Sequence, residues 1–360
     1  MTRRNTLRLS TRGGAGVWTH LGVIDVGSNA IRLQVARVFQ DGDFSIVHDE
    51  REPVRLGEDV FRTGELSPAA VERALNTLSR FAETARRHGA DRVRSVATSA
   101  VREASNGELF ADRVERDTGL RIEVISGAHE AGLIARGVLS GFQAPDRRVA
   151  LVDIGGGSTE ISVVDHGKLG FSGSLPLGSV RLTEAYCKSD PLQAEDEHRL
   201  RQHVREQLAA RLAPAEVPHC SAVIGSAGTI GALANFIRRR PSAPRTPGRV
   251  RSSFTSRELD RACVTLRTTT LAKRRVTRGI EERRAEIIVA GTLLLQEICA
   301  HLHARSIRIV RRGLRDGLML EEVERLGPPP PPRPELEPPA AEAPAPGSPP
   351  PRKRGTRESV

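Results

Sequence analysis

In the stretch Leu151–Val164, LVDIGGGSTEISVV, an aspartate and a glutamate bracket three consecutive glycines. The apolar residues on either side run or alternate as strands do, so the glycines fall in a tight hairpin turn. With no Cβ at Gly155, Gly156 and Gly157, the backbone can approach a bulky anion and turn its N–H groups onto it, and Ser158 and Thr159 extend that cradle. Asp153 and Glu160 flank the turn, and hard oxygen ligands beside a phosphate cradle are what Mg²⁺ favours. The plain alternative is a hairpin and nothing more.

A second copy argues against that alternative. Val23–Val35, VIDVGSNAIRLQV, again carries strand, Asp25, Gly27, Ser28, Asn29 and strand, 128 residues upstream of its counterpart. That separation is far longer than a solenoid period and about the size of one domain. A duplicated lobe with two facing phosphate hairpins is the economical inference, with Asp25 a third candidate metal ligand. Further on, Val223 and Ile224 enter GSAGT, where Gly225, Ser226 and Gly228 can present another turn of N–H groups at a helix start.

Other elements must hold these turns. Ser67, Pro68 and Gly89 bound a helix whose Val71, Leu75, Leu78, Phe81 and Ala82 share one face. Val93–Val96 is a strand that delivers Thr98 and Ser99 into a helix beginning near Val101. Arg102 then lies in a first helical turn at the end of a buried strand, where ligands of open α/β sheets usually bind. Ile122–Ile125 is a strand ended by Ser126, a plausible cap for a helix with Glu130 in its first turn, ordinarily a partner for the helix dipole. Helices are expected over 194–212, 259–271, 286–300 and 313–326, with a strand over 306–310. The Pro, Arg and Ser-rich segment 238–256 reads as a mobile loop. His198, His203, His301 and His303 lack ligand spacing and read as solvated.

At 360 residues the chain can build two ordinary domains. Its net charge of +11 invites nucleic acid, but one Trp and one Tyr leave few stacking platforms, so no specific nucleic-acid partner is expected. A polyanionic small substrate is served by the same positive field. Four cysteines without C-x-x-C spacing indicate neither zinc nor disulfides, and a reducing cytoplasm is the default compartment. No apolar run approaches the roughly 20 residues of a membrane span. Residues 1–20 lack an apolar signal core and read as a flexible segment. From Gly327 the composition shifts, with 13 of the 23 prolines after Leu326, and residues 327–360 read as a disordered tail.

The two hairpins followed by VIGSAGTIGA resemble the phosphate-1, phosphate-2 and adenosine-type motifs of the actin and sugar-kinase superfamily. Within it, DVGSNAIRL, ATSAVREASN (97–106), ISGAHEA (125–131), DIGGGSTE and RRAEIIVAG (283–291) resemble the exopolyphosphatase and guanosine pentaphosphate phosphatase family. The resemblance runs from about Leu21 to Leu326. It implies an α/β, two-lobed actin-like (ribonuclease H-like) fold of duplicated mixed-sheet domains around a cleft. Domain I would cover 21–128, joined by the final helix, and domain II 129–312. It further implies that Arg102 contacts substrate phosphate, that Glu130 is the general base, and that Mg²⁺ sits on Asp153 and Glu160, through water with Asp25.

The implied reaction is Mg²⁺-dependent hydrolysis of the end phosphate of inorganic polyphosphate, or of guanosine pentaphosphate. A kinase of the same fold, separable by phosphate transfer without release to water, and a non-catalytic sensor are the other readings; a homodimer is left open. Ala128, His129, Gly132, Arg311 and Arg312 depart from residues common in the family. The family's longer members continue into a further helical domain.

Overall fold

A computed structural model describes residues 17–141, 147–212, 219–226, 228–239 and 252–327. The expected flexible segment before residue 17, residues 240–251 of the loop expected over 238–256 and the Pro-rich tail after 327 lie outside these residues, as does Ala227; the ends of that loop are instead ordered, 238–239 closing a helix and 253–255 forming a strand paired at the sheet edge. Residues 17–20, expected to be flexible, instead open the first strand, because their backbone pairs with the next strand.

In the first lobe β1 (Val17–Val26), β2 (Ile31–Phe39) and β3 (Phe44–Glu52) form an antiparallel meander. The chain continues through α1 (Val60–Thr63), α2 (Pro68–Arg87), β4 (Arg92–Ala97), α3 (Ser99–Glu103), α4 (Gly107–Thr118) and β5 (Ile122–Val124). The long helix α5 (Gly127–Gly141) leads to the second meander, β6 (Val149–Ile154), β7 (Thr159–Asp165) and β8 (Lys168–Leu175). There follow α6 (Ser179–Tyr186), α7 (Ala194–Arg211), β9 (Val223–Gly225), α8 (Thr229–Arg239), β10 (Ser253–Thr255), α9 (Ser256–Arg267) and α10 (Leu271–Arg275). A 3₁₀ turn (Glu282–Arg284), α11 (Ile288–His301), β11 (Ser306–Ile309) and α12 (Leu314–Leu326) complete the described chain.

The duplication is visible in topology. One sheet runs β3-β2-β1-β4-β5 and the other β8-β7-β6-β9-β11, with β10 added antiparallel at its edge. In each, the inner strand of the meander pairs in parallel with the strand beyond it.

Three apolar cores hold this arrangement. Phe81 and Leu78 of α2 close the outer face of the first sheet, and α11, apolar all round, is buried within the second lobe. The third core joins the lobes: Leu21, Val23 and Val96 of one sheet and Leu151 and Ile224 of the other share Leu133, Ile134 and Val138 of α5 and Leu318 and Met319 of α12. The sequence boundary at 128/129 therefore falls in the first turn of a helix that belongs to this shared core.

Two local departures have physical causes. The helix expected near Val101 begins at Ser99 and ends at Glu103, so Arg102 lies in its last turn. Asn106 pins the break, its side-chain amide accepting from Leu66 N and donating to Leu66 O, both at 2.9 Å. His301, expected to be solvated, hydrogen-bonds the Leu212 carbonyl through Nε2 at 2.9 Å, and the His303 ring lies tilted against that of His219 with centroids 3.9 Å apart. Both partners are distant in sequence.

α5 and α12 cross where Gly137 meets Gly313 and Gly317 meets the Leu133 carbonyl, and a Cβ at either Gly137 or Gly317 would overlap backbone. Substituting Gly317→Ala is expected to force the helices apart at a cost of about 1–3 kcal/mol or more. Denaturant unfolding of the variant against the wild type checks this; equal midpoints would mean the crossing is looser than its geometry.

Candidate active site

The two glycine turns meet at the mouth of the shared core. A Cβ on Gly156 would lie 3.0 Å from Ser28 Cβ and 3.3 Å from Asn29 N, so the second turn fits against the first only as bare backbone. Each is closed by the same hydrogen bond, Gly27 N to Ala30 O at 3.2 Å and Gly155 N to Ser158 O at 3.0 Å.

Their carbonyls are drawn outward. Gly155 O accepts from Ser179 N and Ser179 Oγ, both at 3.0 Å, and Gly156 O from Val180 N at 2.8 Å and Arg181 N at 3.1 Å. The N-terminus of α6, with unsatisfied donors of its own, thus holds the turn from behind. In the first turn Ser28 O and Asn29 O accept from Gly57 N at 2.7 Å and Arg55 N at 3.1 Å. A trans peptide points its N–H opposite its C=O. The N–H groups of Gly156, Gly157, Asn29 and Ala30 therefore turn away from these supports.

The cavity between the turns has a volume of about 100 Å³. It is lined by Asp25, Gly27, Ser28, Asn29, Glu130, Asp153, Gly155, Gly156, Ser158, Glu160 and Gly228 among the residues read from sequence. The other five lie behind it. Gly157 is packed under Phe61 and Ser99, and Thr159 is wholly buried with its hydroxyl donated to Leu177 O at 2.5 Å. Gly225 abuts Ile230, Ser226 donates its hydroxyl to Asp153 Oδ2, and Arg102 stands beyond Glu130.

Hairpin geometry pairs the acids. Asp153 and Glu160 are direct cross-strand partners on β6 and β7. The equivalent pair on β1 and β2 is Asp25 with Arg32, 3.9 Å apart. Comparing the two hairpins position by position would have found Arg32 in the sequence.

Burial pushes the carboxyls of Asp25 and Asp153 up, opposed by the Arg32 guanidinium at Asp25 and by the Ser226 hydroxyl at Asp153. Glu160 is pushed up to about 7 by burial, against the hydroxyl of Ser174 at 2.7 Å and with the Asp153 charge adding to the rise. Glu130, 6% exposed, is raised well above the ordinary carboxylate range by burial and by the neighbouring Glu160. Arg102 opposes that rise: its Nη1 donates to Glu130 Oε2 at 3.1 Å and to Ile125 O at 2.9 Å. Ser126 caps α5 as expected, its hydroxyl accepting from His129 N at 3.2 Å, which fixes Glu130 in the first turn.

Five arginines line the same cavity: Arg32, Arg51, Arg284, Arg311 and Arg315. Arg51 and Arg284 share Glu281, at 3.1 and 3.5 Å, and Arg315 pairs with Asp49 at 2.7 Å. Burial and neighbouring guanidinium groups, Arg284 and Arg32 at Arg51 and Arg32 at Arg284, bring Arg51 down to about 9 and Arg284 to about 10. The Nε and Nη2 atoms of Arg51 are buried without a hydrogen-bond partner. Donors left unmatched among crowded cations suit an anion. Of the departures noted in sequence, Arg311 enters this wall, Arg312 donates to Ser140 Oγ at 2.6 Å, and His129 lies 3.6 Å from Glu321.

Among the described residues no three His, Cys, Asp or Glu side chains converge closely enough to cage a metal ion. Asp153, Glu160 and Asp25 nevertheless offer only oxygen, and burial, which raises all three carboxyls, disfavours their charged forms without a partner. They fit a hard cation that retains most of its water shell, as Mg²⁺ does, and not a dry all-protein site.

A duplicated α/β fold with paired glycine turns across a cationic cleft defines the phosphate-handling architecture of actin-like proteins. Residues 34–326 match the Ppx/GppA phosphatase family, and the chain belongs to that family. It is 32% identical over 317 residues to exopolyphosphatase 2 of Mycobacterium tuberculosis, covering 84% of this chain and 98% of that protein. Exopolyphosphatase 1 of Mycobacterium leprae is 30% identical over 305 residues, covering 84% and 89%. Among solved structures, the Aquifex aeolicus Ppx/GppA family member superposes with a TM-score of 0.69 at 29% identity, over 86% of this chain and 99% of that one. An exopolyphosphatase from Cytophaga hutchinsonii gives 0.78 at 26% identity, over 85% and 98%. The chain is thus a phosphatase with the actin-like fold.

A carboxyl whose pKa is raised by folding binds its proton more tightly in the native state. Its stabilising contribution is complete below the ordinary value near 4.5 and is lost as pH rises through the folded value, about 7 for Glu160. Glu160→Gln should therefore flatten the decline of stability between pH 5 and 8 and gain on the order of 2 kcal/mol at pH 8. Denaturation of both proteins without divalent cation or phosphate reads this; parallel pH profiles would return Glu160 to an ordinary carboxylate.

Proposed function

We propose that the protein is an exopolyphosphatase, removing orthophosphate from the end of inorganic polyphosphate. The observation that carries this reading is Glu130, a buried carboxyl of raised pKa lining a cleft between two phosphate-type turns. A base of raised pKa is matched to taking a proton from water near neutral pH. The turn N–H groups and the wall arginines would hold the terminal phosphates. Glu130 would orient a water for in-line attack on the terminal phosphorus and accept its proton. The bridging P–O bond breaks, and the shortened chain leaves as an anion that needs no proton. Arg102, which stands behind Glu130 and not in the cleft lining, would hold the Glu130 carboxylate in place. Mg²⁺ carried on Asp153 and Glu160, with Asp25 through water, would supply charge neutralisation at the same oxygens.

Guanosine pentaphosphate is the second reading, supported by a cationic wall broader than one phosphate chain end requires. Polyphosphate comes first because the mycobacterial relatives are named exopolyphosphatases. Four cysteines that form no disulfide, and among the described residues no helix long and apolar enough to cross a membrane, agree with a cytoplasmic setting.

Phosphate release from long-chain polyphosphate and from guanosine pentaphosphate, measured side by side with Mg²⁺ and with chelator, tests this. Glu130→Gln should lower kcat about 10²–10⁴-fold with little change in KM. Unchanged turnover in that variant removes Glu130 from the chemistry; faster release from the nucleotide puts the second reading first; transfer to an acceptor without release to water makes the protein a kinase.

A further inference from the structure

We propose that Arg181 is a positioning residue for the second phosphate turn, acting through the Gly157–Ser158 peptide. The proposal rests on the hydrolase reading above and goes beyond it in assigning a residue that does not line the cleft.

Arg181 leaves the first turn of α6, and its guanidinium is engaged through Nε, Nη2 and its flat face. Nε donates to the Gly157 carbonyl at 2.7 Å. Nη2 lies 2.7 Å from both carboxylate oxygens of Glu103, on α3. The flat face covers the Phe61 ring at 4.0 Å, and that ring packs against Gly157. The side chain is therefore fixed by the first lobe while its inward donor holds the second.

The reason a side chain is needed is geometric. The carbonyls of Gly155 and Gly156 are taken by the free backbone N–H groups at the start of α6. Gly157 lies beyond their reach, so a donor carried on a long arm must meet its carbonyl. Fixing that carbonyl fixes the peptide, and the Ser158 N–H then points the opposite way. Ser158 lines the cleft, so Arg181 aims a further donor at the anion without touching it. Glu103 directly follows Arg102, which makes the same clasp a tie between the turn and the helix that supports Glu130. Lysine cannot substitute, because one ammonium has neither the planar fork nor the flat face that is used here.

The test compares R181K, R181A and E103Q with wild type in steady-state hydrolysis, in thermal melts and in calorimetric titration with tripolyphosphate. R181K and R181A should lose about 10–100-fold in kcat, less than deletion of a complete oxyanion donor. Their tripolyphosphate affinity should fall several-fold, and added guanidinium should restore part of the R181A rate. E103Q, which keeps the Arg181–Gly157 bond, should stay within about threefold of wild-type kcat. Wild-type kcat and affinity in R181K overturn the proposal. So does an R181A loss that follows a lowered melting temperature and resists guanidinium, or an E103Q loss as large as that of R181K, which would make the interlobe ion pair the cause. Should R181A fail to fold, R181K carries the comparison. An inactive wild type would sink the hydrolase reading, and the titration would still decide whether Arg181 sets the turn.

Discussion

The rest of the structure depends on two backbone turns being brought within van der Waals contact. Gly156 can lie against Ser28 and Asn29 only because neither the turn nor the interlobe core keeps the sheets further apart. That core is set by another glycine contact, the α5–α12 crossing at Gly137, Gly313 and Gly317. Gly313 itself lines the cleft beside Asp153, so the missing Cβ atoms at this crossing bear directly on the spacing of the turns, since packed interiors leave little slack.

Holding carboxyls and guanidinia in this cleft costs stability. Asp25, Asp153, Glu160 and Glu130 are all raised by burial, while Arg51 and Arg284 are lowered by burial and by neighbouring guanidinium groups, Arg32 among them. Neither set fully neutralises the other, because the arginines are already tied to Glu281 and Asp49 outside the acid cluster. Such strain at a ligand site is offset by ordinary apolar cores elsewhere, here the clusters around α2 and α11.

Supports placed behind the turns matter as much as the groups within the cleft. The start of α6 and the Arg55–Gly57 backbone draw the turn carbonyls outward, and that draws the N–H groups in. Helix N-termini bind anions directly in many proteins. Here one acts at a remove, by gripping the far side of the peptides that make the cradle.

Much of this was legible in the sequence wherever the cause is local. The hairpins at 25–29 and 153–160, the capped start of α2, the Ser126 cap that positions Glu130, and the duplication all rest on residue type and near spacing. What required the tertiary structure involved groups that share no segment: Arg51 beside Arg284, Asn106 pinning Leu66, His301 on Leu212, and Arg181 reaching Glu103. Arg32 falls between the two, visible by register once the hairpins are overlaid. Backbone geometry is dictated by a few neighbouring residues, whereas the charge state of a buried group depends on what the folded chain brings up against it from afar. The sequence therefore determined which turns could cradle a phosphate, and the packing of the lobes decided which side chains would face it and in which form.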